Sequence, residues 1–397
     1  MVKFRLLALA LTGLVLLTFG SLAIFYARGY RLGFQKNQIS LSPQGILTVT
    51  SSPSGAEVYV DGNLRIATDN NVSLVPGTYE IKVTKEGYKD WKKTLVVEKE
   101  IVTPAHAFLV ASAPSLTALT FSGAQKPVMA SDFSKVAFVI QPDTENGVEL
   151  STEGKTKAGL WVVELTDLPL GFSRDPKQIT DGDLTEANFK WSPDGDEILL
   201  SVGEENYLLN VGVFTAEEVR IDITKTLTEI NESWVAKEEK ALKSRLTNLE
   251  NELEIILSST ENIHFSPDGD KILYSPRQDI EIPQDLVKGL PGSSTQPEER
   301  QAKTGKTYAY DIKEDRNFLV GEVGEIVYWL PNSHNVLIPS ENRILIKDYD
   351  GTNEQVVYSG NYVFPYAFPS NSLDKILILT SFGDPGSPSN LYWVGLK

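Results

Sequence analysis

Cysteine is absent from the 397 residues, and histidine and methionine are scarce, with three and two copies. The first absence excludes disulfides, thiolate zinc sites, cysteine nucleophiles and lipidation of a mature N-terminal cysteine. The three imidazoles, at His106, His264 and His334, leave little room for histidine chemistry. Basic residues are also in deficit, 37 Lys and Arg against 53 Asp and Glu, for a formal charge of −16. With 41% hydrophobic and 23% charged residues the composition is that of a globular chain, long enough for two or three domains.

The charge is unevenly spread. Residues 1–45 carry five basic and no acidic residues; residues 46–109 carry seven basic and eight acidic ones, which leaves −20 on residues 110–397. A segment so acidic repels phosphate backbones, so no nucleic acid partner is expected. It also stands clear of an anionic lipid surface.

One long uncharged run is present. Leu6 to Tyr26 holds 21 residues without a charge, flanked by Lys3, Arg5, Arg28 and Arg31, with Tyr26 and Tyr30 near its end. At about 1.5 Å per residue such a helix reaches the thickness of a bilayer core, about 30 Å. Residues 1–31 are therefore expected to form a transmembrane anchor, and the protein to be a single-pass cell-membrane protein with its bulk extracytoplasmic. The alternative is a cleaved signal peptide with a small-residue site at Ser21-Leu22-Ala23, against which the apolar run continues through Phe25.

Residues 44–109 read as short alternating strands broken by turns. Ile46–Thr50 ends at Ser52-Pro53-Ser54-Gly55; Glu57–Val60 meets Asp61-Gly62, a hairpin signal. Pro76-Gly77 predicts a turn with glycine at positive φ. Tyr79–Val83, Gly87-Tyr88 and Trp91–Val97 follow. The order S-x-P-x-G-A-x-V-Y-V-D-G, P-G-x-Y-x-I-x-V, G-Y and W resembles the PEGA domain, which implies a small β-sandwich of surface proteins. The family's glutamate is Ser54 here, and its Gly-x-Thr-Pro is degraded to Ile66-Ala67-Thr68-Asp69. Tyr59, Tyr79, Tyr88 and Trp91 are expected in the core rather than on a carbohydrate-binding face.

The rest of the chain, residues 110–397, repeats a phrase. Phe189-Lys190-Trp191-Ser192-Pro193-Asp194-Gly195-Asp196 returns as Ile263-His264-Phe265-Ser266-Pro267-Asp268-Gly269-Asp270, each followed by an apolar strand. Weaker copies start at Val128, Val327 and Tyr366. Each is one hairpin, and further strands are expected at 159–163, 307–310, 343–347 and 390–394. A unit of four short strands recurring every 40–45 residues is the signature of a propeller blade. Dividing residues 110–397 by that unit, less the insertions, gives five or six blades, and the pattern resembles TolB-like and WD40-type β-propellers. The predicted fold is thus all-β: a PEGA-like sandwich plus a β-propeller, preceded by one transmembrane helix.

Two insertions interrupt the repeats. Residues 231–258 turn helical, with Val235, Leu242, Leu246, Leu249, Leu253 and Ile256 at 3–4 spacing. That stripe is expected to pack on its own propeller, with a partner helix as the alternative. Residues 283–306 read as a flexible surface loop.

No catalytic, cofactor or metal residue is predicted. Thr304-Gly305-Lys306-Thr307 ends like a P-loop without its first glycine, and neither H-E-x-x-H nor G-x-S-x-G occurs. Asp348, Asp350 and Glu354, and the pairs Asp194/Asp196 and Asp268/Asp270, lack a complete calcium loop and are expected to stabilise turns. The expected function is a non-catalytic binding or scaffold module of the cell envelope, held to the membrane by its first helix. Its partner would be an envelope protein or cell-wall glycan. The alternative is a solute-binding receptor or enzyme with its site in the propeller channel, betrayed by convergent carboxylates.

Overall fold

The computed structural model describes residues 2–27, 31–35, 38–42, 44–142, 144–145, 148–149, 158–166, 175–247, 249, 251–290, 292–382 and 387–397, with only the backbone at 2–10, 25–27, 31–35, 38–42, 144–145, 148–149 and 251. Helix α1 (Val2–Ala27) covers the uncharged run. Among the described residues no helix is long and apolar enough to cross a membrane; the side chains described on α1 are those of residues 11–24. The predicted transmembrane span is thus not established by the fold.

The chain divides into two compact units, Met1–Leu109 with Gly289–Pro297, and Val110–Lys288 with Glu298–Lys397. In the first, two sheets enclose a core of Leu47, Val49, Val58, Ile81, Val83, Trp91 and Leu95. One sheet orders Asn63–Ala67, Glu57–Val60, Gly77–Thr84 and Trp91–Val97; the other orders Asn70–Leu74, Gly45–Ser52 and Val102–Phe108. Strand Glu57–Val60 buries Val58 and Val60, as its alternation requires. Asp61 and Gly62 both have positive φ, the geometry of a tight hairpin, and Asp61 Oδ1 accepts the Glu80 N–H at 2.9 Å. Gly77, by contrast, is not in the left-handed region; it opens a strand, so the predicted Pro76-Gly77 turn is corrected. Trp91 is buried, and Tyr79 and Tyr88 pack half-buried against the same core, but the expectation for Tyr59 is corrected: it alternates with Val58 and Val60 onto the opposite face, where its hydroxyl donates to Glu57 at 2.8 Å.

In the second unit each of the five repeat copies forms its predicted hairpin. The first sheet orders Gln125–Met129, Lys135–Ile140, Gly159–Glu164 and Lys177–Asp181. The second holds Asn188–Trp191, Glu197–Val202 and Glu205–Asn210; the third, Thr260–Phe265, Lys271–Pro276, Thr307–Asp311 and Arg316–Gly321. The fourth holds Tyr328–Trp329, Asn335–Ser340, Arg343–Asp348 and Gln355–Ser359. The fifth orders Ala367–Pro369, Lys375–Thr380 and Asn390–Gly395, and its outer strand, Leu116–Ala118, comes from the start of the unit.

Apolar clusters join neighbouring sheets: Phe138 and Val163 with Leu377 and Trp393 (first and fifth), Leu160 and Ile179 with Ile198 and Leu200 (first and second), Leu273 and Ala309 with Val336 and Ile338 (third and fourth). Between the second and third sheets lies the predicted helical insert, now α2 (Leu227–Leu246) and α3 (Asn251–Ser258). Leu246, Leu253 and Leu257 are buried with Ile272, Tyr274 and Tyr310 of the third sheet, and Leu242, Leu249 and Ile256 pack against them. These contacts stop short of a closed propeller; what the structure establishes is a mostly β chain of successive antiparallel sheets.

The segment 283–306 is not a featureless loop. Gln301–Ala302 pairs with Ile280–Glu281, Ala302 and Gln296 are buried, and residues 289–297 belong to the first unit.

Candidate functional site

The site is built from the hairpin tips. In both full copies the serine hydroxyl donates to the aspartate and accepts a backbone N–H from beyond the turn: Ser192 with Asp194 at 2.6 Å and Glu197 at 2.9 Å, Ser266 with Asp268 at 2.6 Å and Lys271 at 2.9 Å. The Ser192 hydroxyl holds the Asp194 carboxyl below its ordinary value. Burial pushes Asp268 up, but the Ser266 hydroxyl, the Asp270 N–H and Lys271 outweigh it and the net shift is downward. These aspartates are turn stabilisers, and among the described residues no group of three or more acidic or histidine side chains could hold a metal ion. Asp348 likewise accepts the Asn335 and Asn353 amides at 2.9 and 3.0 Å. Because the Ser266 hydroxyl bridges two groups inside the fold, Ser266→Ala is expected to cost about 1–3 kcal/mol in a urea unfolding experiment.

Two of the three eroded copies, those starting at Val128 and Val327, keep the turn without its glycine. Gly195 and Gly269 have φ of +72° and +77°; the same place is held by Phe133 and Ser333, both at +58°. All four turns repeat one bond, from Phe133 to Ala130 O, Gly195 to Ser192 O, Gly269 to Ser266 O and Ser333 to Leu330 O. A phenylalanine at this φ is strained by about 1–2 kcal/mol. Its ring shows what the strain holds in place.

The Phe133 ring, from the first sheet, lies edge-on to His264 of the third at 6.4 Å and to Tyr328 of the fourth at 6.2 Å. Tyr328 in turn meets Phe368 of the fifth at 6.4 Å, and Phe368 meets Tyr366. Rings from four sheets therefore converge. Two indoles fix the inner strands: Trp191 donates to Val128 O and Trp329 to His264 O, both at 2.9 Å.

The convergence is uncharged, in a chain of −16. His264 keeps a face open to solvent, yet desolvation by the groups packed around it lowers its pKa, so the imidazole is neutral at pH 7. The same desolvation raises Tyr328. Among the described residues neither the His264 ring nor the Tyr328 hydroxyl has a hydrogen-bond partner within the protein. The site thus offers aromatic edges with two unspent polar groups. On the second sheet, Lys190 bonds Asn231 of α2 and lies 5.4 Å from the Trp234 ring centre, while Lys237 faces Asp194 at 3.6 Å.

Carboxylates do gather in a depression of about 280 Å³ between the first and second sheets. There Glu164 faces Lys177 at 3.7 Å and Asp196 faces Lys135 at 3.6 Å, so two of its three carboxylates are paired, and Asp175 is the third.

Residues 44–111 match the family model described as PEGA domain. This segment is a PEGA domain. Its matching positions are the turn glycines and buried strand residues described above, so membership explains a fold and not a ligand. The curated proteins contain no match to the chain. Among solved structures, TolB from Acinetobacter baumannii is similar at 11% identity and a TM-score of 0.20, over 81% of this chain and 60% of that one. The β-propeller domain of the Trilobed protease from Pyrococcus furiosus is similar at 12% and 0.20, over 89% and 96%. The AfRom2 CNH domain is similar at 9% and 0.30, over 71% and 99%. At TM-scores this low the likeness carries no argument about sites or partners.

Sequence reading missed Phe133, His264 and Tyr328 as a group. The available signal was the bulky residue in the glycine position of an eroded repeat.

Proposed function

We propose that the protein is a membrane-anchored, extracytoplasmic binding module of the cell envelope, whose five sheets form the blades of a β-propeller and whose binding site is the uncharged aromatic convergence. The observation that carries this reading is the strained Phe133 ring, held against His264 and Tyr328 from other sheets. A receptor or enzyme for charged solutes would present converging unpaired carboxylates. This convergence presents rings and neutral polar groups, which suit an inserted apolar or aromatic side chain of an envelope protein. Acidic surroundings favour a basic partner surface around that insertion.

Blade order supports the propeller: sheets follow one another along the chain, and the last takes its outer strand from the first residues of the unit. The anchor rests on the 21 uncharged residues and on an α1 whose Leu11, Leu14, Leu17, Phe19 and Ile24 are all exposed, apolar on every side. A partner helix for the 231–258 insert would find only Val235 and Ile255 among its described large apolar residues exposed, so that insert is the lesser surface.

Phe133→Gly tests the site. Glycine relieves about 1–2 kcal/mol of left-handed strain, which offsets the loss of a half-buried ring. Stability is expected to stay within about 1 kcal/mol of the parent, while capture of envelope proteins from extracts falls at least about tenfold, or about 1.4 kcal/mol. Unchanged capture by a folded F133G protein would remove the site. Placement is checked separately: protease added to intact cells should digest the acidic unit, and a protected unit would reverse the orientation.

A further inference from the structure

The PEGA domain has an edge covered by a piece of chain borrowed from the other unit's sequence. Strand Trp91–Val97 ends the four-stranded sheet, and alternate residues of such an edge turn their N–H and C=O outward. Thr94 and Val96 are two of these, for Thr94 O accepts the Gln296 side-chain amide at 2.7 Å and the Val96 N–H reaches Thr295 Oγ1 at 3.4 Å. Gly292, at φ +81°, lies so close to strand Val102–Phe108 that a Cβ there would come within 2.4 Å of Val102 O. Gly292, Thr295 and Gln296 thus reach both edges on one side of the sandwich, while the residues flanking 289–297 belong to the second unit.

Thr295 and Gln296 meet the edge with side chains where a strand would bind with backbone. The 3.4 Å contact is long for a hydrogen bond, and Leu290 stays exposed. The edge beneath is complementary to itself. Paired antiparallel about Thr94, two copies would set Thr94 opposite Thr94, Lys92 opposite Val96 and Lys93 opposite Leu95. No lysine would face a lysine, and a Thr–Thr pair is a favourable cross-strand pair. We propose that residues 289–297 are a displaceable cover over a strand edge whose occupant, once the cover lifts, is the same edge of a second copy of this chain in a twofold pair.

The absence of cysteine makes a clean test. Thr94→Cys supplies a single thiol, and across a hydrogen-bonded antiparallel pair the Cα atoms stand about 5.5 Å apart, within disulfide reach. In the full chain in detergent, T94C alone is expected to stay monomeric under oxidation. Adding Gly292→Val and Gln296→Ala should raise the disulfide-linked dimer at least about tenfold. Adding Val96→Pro as well, which deletes an outward N–H without touching the ladder inside the sheet, should return it to the starting level. Amide exchange at Val96 reports whether the cover is off. If G292V/Q296A leaves that exchange at the parent rate, replacing 289–297 by a Gly/Ser linker of equal length opens the edge, and dimer formation is read on that chain instead. An opened chain that remains monomeric overturns the proposal whatever else binds it. So does crosslinking that is equal with the cover on, or that persists with V96P.

Discussion

Lys271→Met is expected to cost about 3–5 kcal/mol of stability at neutral pH, because it strands a buried carboxylate. Lys271 and Asp311 are both almost fully buried, with the ammonium 3.7 Å from Asp311 Oδ2 and from Asp268 Oδ2 and 4.9 Å from the Tyr349 ring centre. Burial raises the Asp311 pKa even with Lys271 beside it. The folded state therefore keeps the Asp311 proton at pH values where the unfolded chain has released it, so ionisation opposes folding above the folded pKa. Without the lysine that opposition is uncompensated. The deficit of K271M should accordingly shrink as pH falls through the raised Asp311 pKa and return as pH rises. Asp311→Asn, which retains an acceptor for the Lys313 and Glu314 N–H groups, should restore most of the loss in the double variant. Urea midpoints at neutral and acid pH decide the matter; a deficit independent of pH would assign it to lost packing.

Trp329→Ala should cost about as much, about 3–5 kcal/mol, through a different cause. The indole is buried in the cluster where Leu273, Ala309 and Val320 of the third sheet meet Val336, Ile338 and Leu345 of the fourth. Its removal opens a cavity between two sheets and orphans His264 O, which the indole N–H caps at 2.9 Å. Trp329→Phe keeps most of the volume and loses mainly that bond, for about 1–3 kcal/mol. Since His264 belongs to the proposed site, W329F should also weaken partner capture more than its stability cost accounts for. A W329F protein that captures partners as the parent does would uncouple the indole from the site.

How much was legible follows from where each signal sits. The hairpin at Asp61-Gly62 and the S-P-D-G tips are local: two or three residues fix the turn, through positive φ at glycine and a side chain bonding its own backbone. Such turns can be read wherever they occur, and the five hairpins fall where the repeats predict. Pro76-Gly77 misled because the same dipeptide also opens a strand once Gly77 pairs with Val97. The loop expectation for 283–306 left out its contacts for a related reason. Polar, proline-rich sequence reads as solvent-exposed, yet Gln296 is buried by a strand edge some two hundred residues earlier in the chain.

The sequence alone settled the elements: short strands, repeated tips, an uncharged N-terminal run, an acidic C-terminal part and no thiol chemistry. Tertiary structure alone decided which elements meet. Leu116–Ala118 joins the last sheet, Phe133 reaches His264 and Tyr328, and residues 289–297 close a PEGA edge. The physical reason is range: turn and strand preferences act over a few bonds and leave a mark in composition, whereas a contact between distant residues is selected by the packing of the whole unit.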